Sequence, residues 1–395
     1  MKNKDFFVEI DCQQKNKHGN EVCGDCFLSK KIKEEERIVA VLSDGLGSGI
    51  KANVLATLTA SMALNFTIEN QSLHRTATTI MKTLPVDKVR KISYATFSIV
   101  DVDCEGETRV VEYDNPTFFL IRNGRISKPD SHEIIIKGKK GKDKQVTATT
   151  FNAQKEDRLV FFTDGINQSG IGSRAFPFGW GVKSVGEYIV SLVKEKPFIS
   201  ASHLAKRIVI QAEKNDIGNL RDDASCTVIY FREPRKLLIS SGPPYDESKD
   251  KLLAEHVRGF QGKKVISGGT TAQILSRELN IPIDVDMSNL TSNLPPKSTM
   301  KGIDLVTEGV LTIAAVAERL ETADEIRRPT NDPASDIIKM LLNSDEIHFL
   351  IGTRVNNAHQ DPTLPVELEI RRNVVKKIAR ILEEKYLKEV HLQFI

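Results

Sequence analysis

The sequence predicts an α+β domain followed by a smaller α/β domain with a parallel, doubly wound sheet. In the first part, apolar strand patterns follow one another from residue 94 to residue 163, while the helical patterns stand apart from them in the sequence. Beyond Pro234, strands and helices alternate instead. The 395 residues, 40% of them hydrophobic, are enough to bury two cores. We therefore expect two domains, at residues 1–234 and 235–395.

The composition excludes several classes of protein. The 56 basic residues nearly balance 53 acidic ones, for a net charge of +3, so no overall field favours nucleic acid or an anionic membrane as a partner. No segment approaches the roughly 20 apolar residues that span a bilayer, and the polar start Met1–Lys4 has no signal-peptide core behind it. Five cysteines suit a reducing compartment better than a disulfide framework. We expect a cytoplasmic protein, with the basic run Lys137–Lys144 in a solvated loop.

An aspartate on a glycine-rich turn is the organising feature of the first domain. The β-branched run Val39–Leu42 predicts a buried strand, and it leads to Asp44, which folding alone does not require. Three glycines follow at alternate positions, and a helical pattern then extends from Ser48 to Asn70. The turn lacks the Lys-Ser/Thr pair of a Walker loop and the spacing of a dinucleotide loop. The carboxylate, rather than a phosphate cradle, is therefore the expected functional group.

The neighbouring strand is expected to bring a second carboxylate to Asp44. The segment Glu21–Leu28 predicts a strand beside the one that ends at Asp44, so that Asp25 and Asp44 lie at a common end. Residues 5–12 alternate weakly and are expected to form a hairpin with this strand. Leu73–Leu84 predicts a second helix after the first, and the two helices would cover one face of the sheet.

Further alternating segments predict an antiparallel meander. Its strands are expected at Tyr94–Asp101, Thr108–Tyr113, Thr117–Arg122, Glu133–Lys137, Gln145–Phe151 and Arg158–Thr163. The last of them runs into Asp164-Gly165, which repeats the arrangement at Asp44. Two helices, near Val182–Lys194 and Ala201–Lys214, then precede Asp222-Asp223 and a final strand at Cys226–Arg232.

Four separate segments thus place an aspartate at the end of a strand, at Asp25, Asp44, Asp164 and Asp222. Carboxylates brought together repel each other, and the usual remedies are protonation or a divalent cation. Hard oxygen ligands fit magnesium or manganese rather than zinc, and two such ions can activate a water for attack on a phosphoryl group. Any single aspartate at such a place is an ordinary turn residue. Four aspartates in these places indicate a metal site.

The four motifs also follow a known family order. They are Val22-Cys23-Gly24-Asp25-Cys26-Phe27, Ser43-Asp44-Gly45-Leu46-Gly47-Ser48-Gly49, Phe162-Thr163-Asp164-Gly165-Ile166 and Arg221-Asp222-Asp223-Ala224-Ser225. Together they resemble the metal-dependent protein phosphatases, specifically the bacterial stage II sporulation E branch. The resemblance implies an α-β-β-α sandwich. It also implies that a metal-activated water hydrolyses phosphoserine or phosphothreonine on a protein, with two divalent cations, Mn or Mg.

The resemblance assigns a role to each motif residue. Asp44 would bridge the two ions, the backbone carbonyl of Gly45 would join it, and Asp25, Asp164 and Asp222 would complete the ligand set. Asp223 would support the ligands without touching metal. The implied substrate is a bacterial regulatory phosphoprotein such as an anti-sigma-factor antagonist. The alternative is a weak or inactive phosphatase fold that only senses or scaffolds, a reading that retention of all the ligands disfavours.

The C-terminal domain resembles no family that we identify. Strands at Lys264–Ser267, Ile303–Val306 and Glu346–Ile351 alternate with helices, and ligands of such sheets bind beyond the carboxyl ends of the strands. We expect a regulatory site for a small anion there, with a structural turn and a surface arginine as the equal alternative. The expected site residues are Gly268, Gly269, Thr270, Thr271, Glu308, Thr353 and Arg354.

Two other features are interpreted as structural. Cys23-x-x-Cys26 has no second cysteine pair or histidine partner, so it predicts buried small side chains rather than a zinc or redox site. His348 lies in an apolar strand pattern and is expected to be a core histidine with satisfied hydrogen bonds.

Overall fold

The computed structural model describes residues 6–32, 34–69, 73–83, 95–136, 143–285, 297–322, 332–354, 364–386 and 388–395. The chain divides into two compact units, Met1–Glu233 and Pro234–Ile395. The predicted helix end at Leu84 and residues 137–142 of the basic run lie outside the described residues. Among the helices that the structure describes, none combines the length and apolar character that crossing a membrane requires.

The first unit contains two antiparallel sheets. One has the strand order β2-β3-β4-β5-β9-β8 and the other the order β1-β11-β10-β6-β7. The strands are β1 Phe7–Lys15, β2 Asp25–Ile32, β3 Arg37–Asp44, β4 Phe97–Val102, β5 Glu107–Tyr113, β6 Phe119–Arg122, β7 Arg125–Ser127, β8 Ser131–Ile136, β9 Lys144–Asn152, β10 Arg158–Phe162 and β11 Ala224–Arg232.

Helices cover the outer face of each sheet. They are α1 Ile50–Ile68, α2 Leu73–Thr83, α3 Asp164–Asn167, α4 Val182–Glu195 and α5 Ala201–Asn215. One apolar core lies between the sheets, a second joins α1 and α2 to the six-stranded sheet, and a third joins α4 and α5 to the five-stranded sheet. The layers therefore run helix, sheet, sheet, helix, and the prediction of mixed helix and sheet content is confirmed.

Small side chains let α1 approach its sheet closely. Ala52, Ala56, Ala60 and Ala63, spaced three or four apart along one face of the helix, are all fully buried. The first turn of α1 thereby packs against the turn that follows Asp44, so the helix and the carboxylate are held as one piece.

The strand pairing corrects two expectations. β1 pairs with β11 along its whole length, so the expected hairpin between residues 5–12 and the Asp25 strand is wrong. The expected meander is also split, because β6 and β10 belong to the five-stranded sheet while β4, β5, β8 and β9 stay in the other. Alternation of apolar residues marks a strand but does not tell which sheet the strand joins.

The second unit is built on one sheet with the order β14-β15-β16-β13-β12-β17-β18, in which β16, β13, β12, β17 and β18 are parallel. Its strands are β12 Lys236–Ser241, β13 Lys263–Ser267, β14 Ile283–Val285, β15 Ser298–Met300, β16 Ile303–Thr307, β17 Glu346–Ile351 and β18 Glu389–Phe394. Its helices are α6 Asp250–Gly259, α7 Gly269–Leu279, α8 Val310–Thr322, α9 Pro333–Leu342 and α10 Leu364–Tyr386.

Helices lie on both faces of this sheet. α6 and α7 share one apolar core with the sheet, and α8, α9 and α10 share another on the opposite face. The prediction of a second, sheet-containing domain is confirmed. The central strand β12 and the helix α6 were not predicted, and β12 separates β13 from β17.

Candidate active site

Asp25 and Asp44 stand directly opposite each other where β2 begins and β3 ends. The prediction that they share one end of the sheet is confirmed, and the charge of Asp25 acts on Asp44. The other sheet also holds Asp25, because the hydroxyls of Thr163 and Ser225 donate to its Oδ2 over 2.9 and 2.6 Å. The pair is therefore fixed from both halves of the sandwich.

The second sheet supplies the other two carboxylates. Asp164 begins the short helix α3 directly after β10, and its charge acts on Asp44. Asp222 lies in the turn before β11, close enough that the charge of Asp164 acts on it and that its own charge acts on Asp44. All four predicted carboxylates thus come together at one edge of the sandwich.

Burial and mutual repulsion disfavour the ionised form of these groups. Burial, followed by the charges of Asp25, Asp164 and Asp222, raises the pKa of Asp44 to about 10. Burial also raises the pKa of Asp25 to about 7, against the opposing hydrogen bonds from Ser225 and Thr163. The pKa values of Asp164 and Asp222 are raised too, again chiefly by burial. Four carboxyls that cannot all ionise in one buried place require a compensating positive charge.

The donor set fits a hard divalent cation. Asp25 Oδ1 and Asp223 Oδ2 are buried and find no hydrogen-bond partner among the described residues, so oxygen acceptors remain unused at the centre of the cluster. No three His, Cys, Asp or Glu side chains in the described ranges already stand as a metal-ligating group. The cluster offers only oxygen ligands, the type that Mg²⁺ and Mn²⁺ prefer.

Gly45 is required by the close approach of α1. A Cβ at this position would lie 2.0 Å from the backbone oxygen of Ala52 and 2.6 Å from its carbonyl carbon. Any side chain would push the helix away from the turn that carries Asp44. The predicted role of the Gly45 carbonyl as a ligand stays a prediction, but the need for glycine has a clear steric cause.

Three supporting residues were not predicted as such. Thr163 and Ser225 orient Asp25, and the Nδ2 of Asn53 on α1 donates to the carbonyl of Cys23 over 2.8 Å. Both hydroxyls lie one or two residues from a predicted aspartate, which was the available signal. Asp223 is buried, accepts from the backbone N–H of Lys17 over 2.9 Å and raises the pKa of Asp25 by its charge.

The family of the chain is shown by its sequence. The family model described as Stage II sporulation protein E (SpoIIE) matches residues 34–232, half of the chain. The chain belongs to this family. The prediction of a protein phosphatase, a hydrolase of the SpoIIE branch, is thereby confirmed for the first unit.

Individual relatives of this SpoIIE-family chain are more distant. The phosphoserine phosphatase RsbX of Bacillus subtilis (strain 168) is 29% identical over 162 residues, which make up 40% of this chain and 75% of RsbX. A structure of the PP2C phosphatase domain and a regulatory fragment of SpoIIE from Bacillus subtilis is 17% identical, with a TM-score of 0.45, over 57% of this chain and 64% of that one. The chain thus spans less than two thirds of that SpoIIE structure.

A structure of RsbX in complex with magnesium is also similar to the chain. It is 18% identical, with a TM-score of 0.39, over 58% of this chain and 98% of that one. The magnesium belongs to that structure.

In the second unit of the SpoIIE-family chain, the predicted anion site falls into two groups. Gly268 and the first residues of α7, Gly269, Thr270 and Thr271, lie beside Glu308, whose carboxylate oxygens are 3.6 Å from the Cβ position of Gly269. The hydroxyl of Thr353 instead donates to Ile395, and Arg354 pairs with Glu247 over 2.6 Å. The cause is β12, which spaces the loops after β13 and β17 by two strands, about 10 Å.

The electrostatics of the first group oppose an anion. A carboxylate from Glu308 already lies at the positive N-terminal end of α7, where a bound anion would be expected. At the second group, Gly352 packs tightly against the segment after β12, because a Cβ on Gly352 would lie 2.0 Å from the carbonyl oxygen of Pro243. The hydroxyl of Thr271 remains buried without a hydrogen-bond partner among the described residues.

The two features interpreted as structural give different outcomes. Cys23 and Cys26 are free, and burial raises the pKa of both thiols, so neither supplies a reactive thiolate. His348 is not a satisfied core histidine. It lines a cavity of about 310 Å³ with His256 and His391, and its Nε2 has no hydrogen-bond partner in the described part of the chain.

Proposed function

We propose that the first unit, residues 1–234, is a metal-dependent protein serine/threonine phosphatase whose substrate is a phosphorylated bacterial regulatory protein. The observation that carries the proposal is the meeting of Asp25, Asp44, Asp164 and Asp222 from both sheets at one buried edge. Membership of the SpoIIE family and the phosphoserine phosphatase activity in the name of RsbX support it. An inactive scaffold is not favoured, because every predicted carboxylate is present.

The residues that would hold two Mn²⁺ or Mg²⁺ ions are these four aspartates and the carbonyl of Gly45. When bound, the ions supply an activated water and neutralise charge on the phosphoryl group. Asp44 lies opposite Asp25, and the charges of the other three aspartates all act on it, so its central place suits a carboxylate shared by two ions. Thr163 and Ser225 keep Asp25 oriented toward the cluster, and Asp223 remains behind it as a support.

The substrate and the cellular location are inferred from the name of RsbX and from the free cysteines. RsbX is named for phosphoserine, so we propose phosphoserine or phosphothreonine on an anti-sigma-factor antagonist or a protein of similar function. All five cysteines of the chain are free, as in a reducing compartment, which supports a cytoplasmic location. The second unit is proposed to be regulatory, and a small anion at Gly268–Thr271 would have to displace Glu308.

Hydrolysis of p-nitrophenyl phosphate and of a phosphoserine peptide tests the proposal. Wild type should turn over both with Mn²⁺ and neither in excess EDTA, and Asp44→Ala and Asp222→Asn should each lose at least about 100-fold in kcat. Asp103→Asn, at the far end of β4, should keep wild-type rates. Turnover that survives EDTA, or that is indifferent to both site variants, would exclude a metal-dependent phosphatase.

A further inference from the structure

The carboxylate of Asp216 connects the two backbone segments that carry Asp164 and Asp222. Asp216 directly follows α5, and its side chain is only 2% exposed. Oδ1 accepts from the N–H of Gly170 over 2.8 Å, and Oδ2 accepts from the N–H of Arg221 over 3.2 Å. Gly170 lies shortly after Asp164, and Arg221 immediately precedes Asp222. One buried group therefore holds the loops of two carboxylates at a fixed separation.

Arg221 adds a second connection between the same loops. Its Nη1 donates to the carbonyl of Ile171, and its Nε lies 3.8 Å from Asp216 Oδ1. A third link runs from the Nδ2 of Asn215 to the hydroxyl of Ser169 over 3.0 Å, again between the end of α5 and the loop after α3. The Arg221 guanidinium is largely exposed, so water screens its charge. Its planar fork, which can reach two acceptors at once, therefore makes the connection between Ile171 and Asp216.

The connection works against electrostatic repulsion. Asp164 and Asp222 are like charges on separate loops, and nothing in either loop's own sequence keeps them together. If the loops were flexible, Asp164 and Asp222 would move apart as they ionise. Part of the free energy of ion binding would then be used to bring the two loops back together. Loops that are already fixed present the ligands without that cost, which is why residues behind the ligands commonly change metal affinity by 10–100-fold.

We propose that Asp216 and Arg221 are positioning residues that fix the separation of Asp164 and Asp222 and thereby set the affinity of the site for a divalent cation. The inference rests on the proposed function for the identity of the ligands. It goes further by assigning the affinity to a pair of residues that touch neither metal nor substrate.

Mn²⁺ binding to the full chain, measured by isothermal titration calorimetry, tests the positioning role directly. Asp216→Asn keeps the shape of the side chain but turns an amide NH₂ toward one of the two backbone N–H donors, which breaks one link. We expect its Mn²⁺ dissociation constant to rise about 10–100-fold. Arg221→Lys keeps the charge but loses the fork, and it should weaken binding in the same direction.

Asp103→Asn is the matched control. Asp103 likewise accepts two backbone N–H bonds, from Glu105 at 2.8 Å and Glu107 at 2.9 Å, but it lies outside the cluster. It should keep wild-type Mn²⁺ affinity, whatever it loses in metal-free melting temperature. This comparison separates positioning of the ligands from general support of a loop.

Three outcomes decide the matter. Wild-type Mn²⁺ affinity in Asp216→Asn, or an equal loss in Asp103→Asn, would overturn the inference. If Asp216→Asn does not fold, Arg221→Lys alone tests the inference. Wild-type Mn²⁺ affinity in Arg221→Lys would then overturn it. A wild type that binds Mn²⁺ but hydrolyses no phosphate ester would refute the proposed function, while weakened binding in the two variants would still support the positioning role.

Discussion

The metal-free protein should lose stability as the pH rises from 5 to 8, and Asp44→Asn should remove much of that loss. Burial, followed by the charges of three neighbouring aspartates, raises the pKa of Asp44 to about 10 in the folded chain. An aspartate in the unfolded chain ionises near 3.9. The folded state therefore binds the proton more tightly. Its contribution to stability is present in full at low pH and is lost as the pH rises toward the folded-state pKa.

The size of the effect follows from the pH interval. Between pH 5 and 8, Asp44 is ionised in the unfolded chain and protonated in the folded one, which costs about 1.4 kcal/mol per pH unit, or about 4 kcal/mol in all. Asp25 has a pKa of about 7 in the folded chain, so its contribution to the free energy of unfolding also falls as the pH rises through this interval. Asp44→Asn cannot ionise, so its free energy of unfolding should fall by about 4 kcal/mol less than that of wild type.

The single tryptophan of the chain makes the measurement specific. Trp180 is buried in the first unit, so urea unfolding followed by its fluorescence reports on that unit. Melts in EDTA at pH 5 and pH 8 would be compared for wild type, Asp44→Asn and the control Asp103→Asn. Mn²⁺ at pH 8 should then stabilise wild type and leave Asp44→Asn nearly unchanged. An equal loss between pH 5 and 8 in wild type and Asp44→Asn would refute the reasoning.

Three further substitutions have defined outcomes. Gly45→Ala should lower Mn²⁺-dependent kcat at least about 100-fold, because its Cβ would lie 2.0 Å from the Ala52 oxygen, whereas a Cβ at Gly259 has no atom within 4 Å and Gly259→Ala should keep its activity. Asp223→Asn should unfold at higher urea in EDTA at pH 8, since it removes a buried charge that acts on Asp25; a lower midpoint would contradict this. Gly352→Ala should destabilise the second unit in circular dichroism without moving the Trp180 transition, and a common shift would contradict two separately folding domains.

The carboxylate pair was predictable because its cause is local. A short apolar strand, a two-fold alternation and an aspartate at the strand end are enough to place Asp25 opposite Asp44, and the structure has them in register. The same local logic found Asp164 and Asp222, each at the junction of a strand and a turn. For the four aspartates to meet, the ends of these strands must also lie at one edge of the sandwich.

The assignment of strands to sheets was not predictable, because it depends on contacts far apart in sequence. β1 resembles the first half of a hairpin, yet it pairs with β11, so that Gln14 lies opposite Ser225. A hydrophobic pattern records that one face of a strand is buried but not which partner buries it. The contacts of Thr163 and Ser225 with Asp25 also join segments far apart in the sequence, and for the same reason they were not predicted.

The second unit shows how one missed strand changes a predicted site. β12 begins shortly after Pro234, at the predicted domain boundary. The sequence predicts no strand for its six residues, Lys236–Ser241. With β12 absent, the loops after β13 and β17 would be neighbours, and Gly268 and Arg354 would share a crevice. With β12 between them, each loop makes its own contacts, with Glu308 in one case and Glu247 in the other.

The hydroxyl bonds to Asp25 give the fold a mechanical property. Asp25 belongs to one sheet, and Thr163 and Ser225, which hold its oxygen, belong to the other. The site thus lies on a seam between two layers rather than within one rigid body. A slip of one layer past the other by about 1 Å would disturb the carboxylates while leaving every strand ladder intact. We therefore expect catalysis at this site to be sensitive to shear between the two layers.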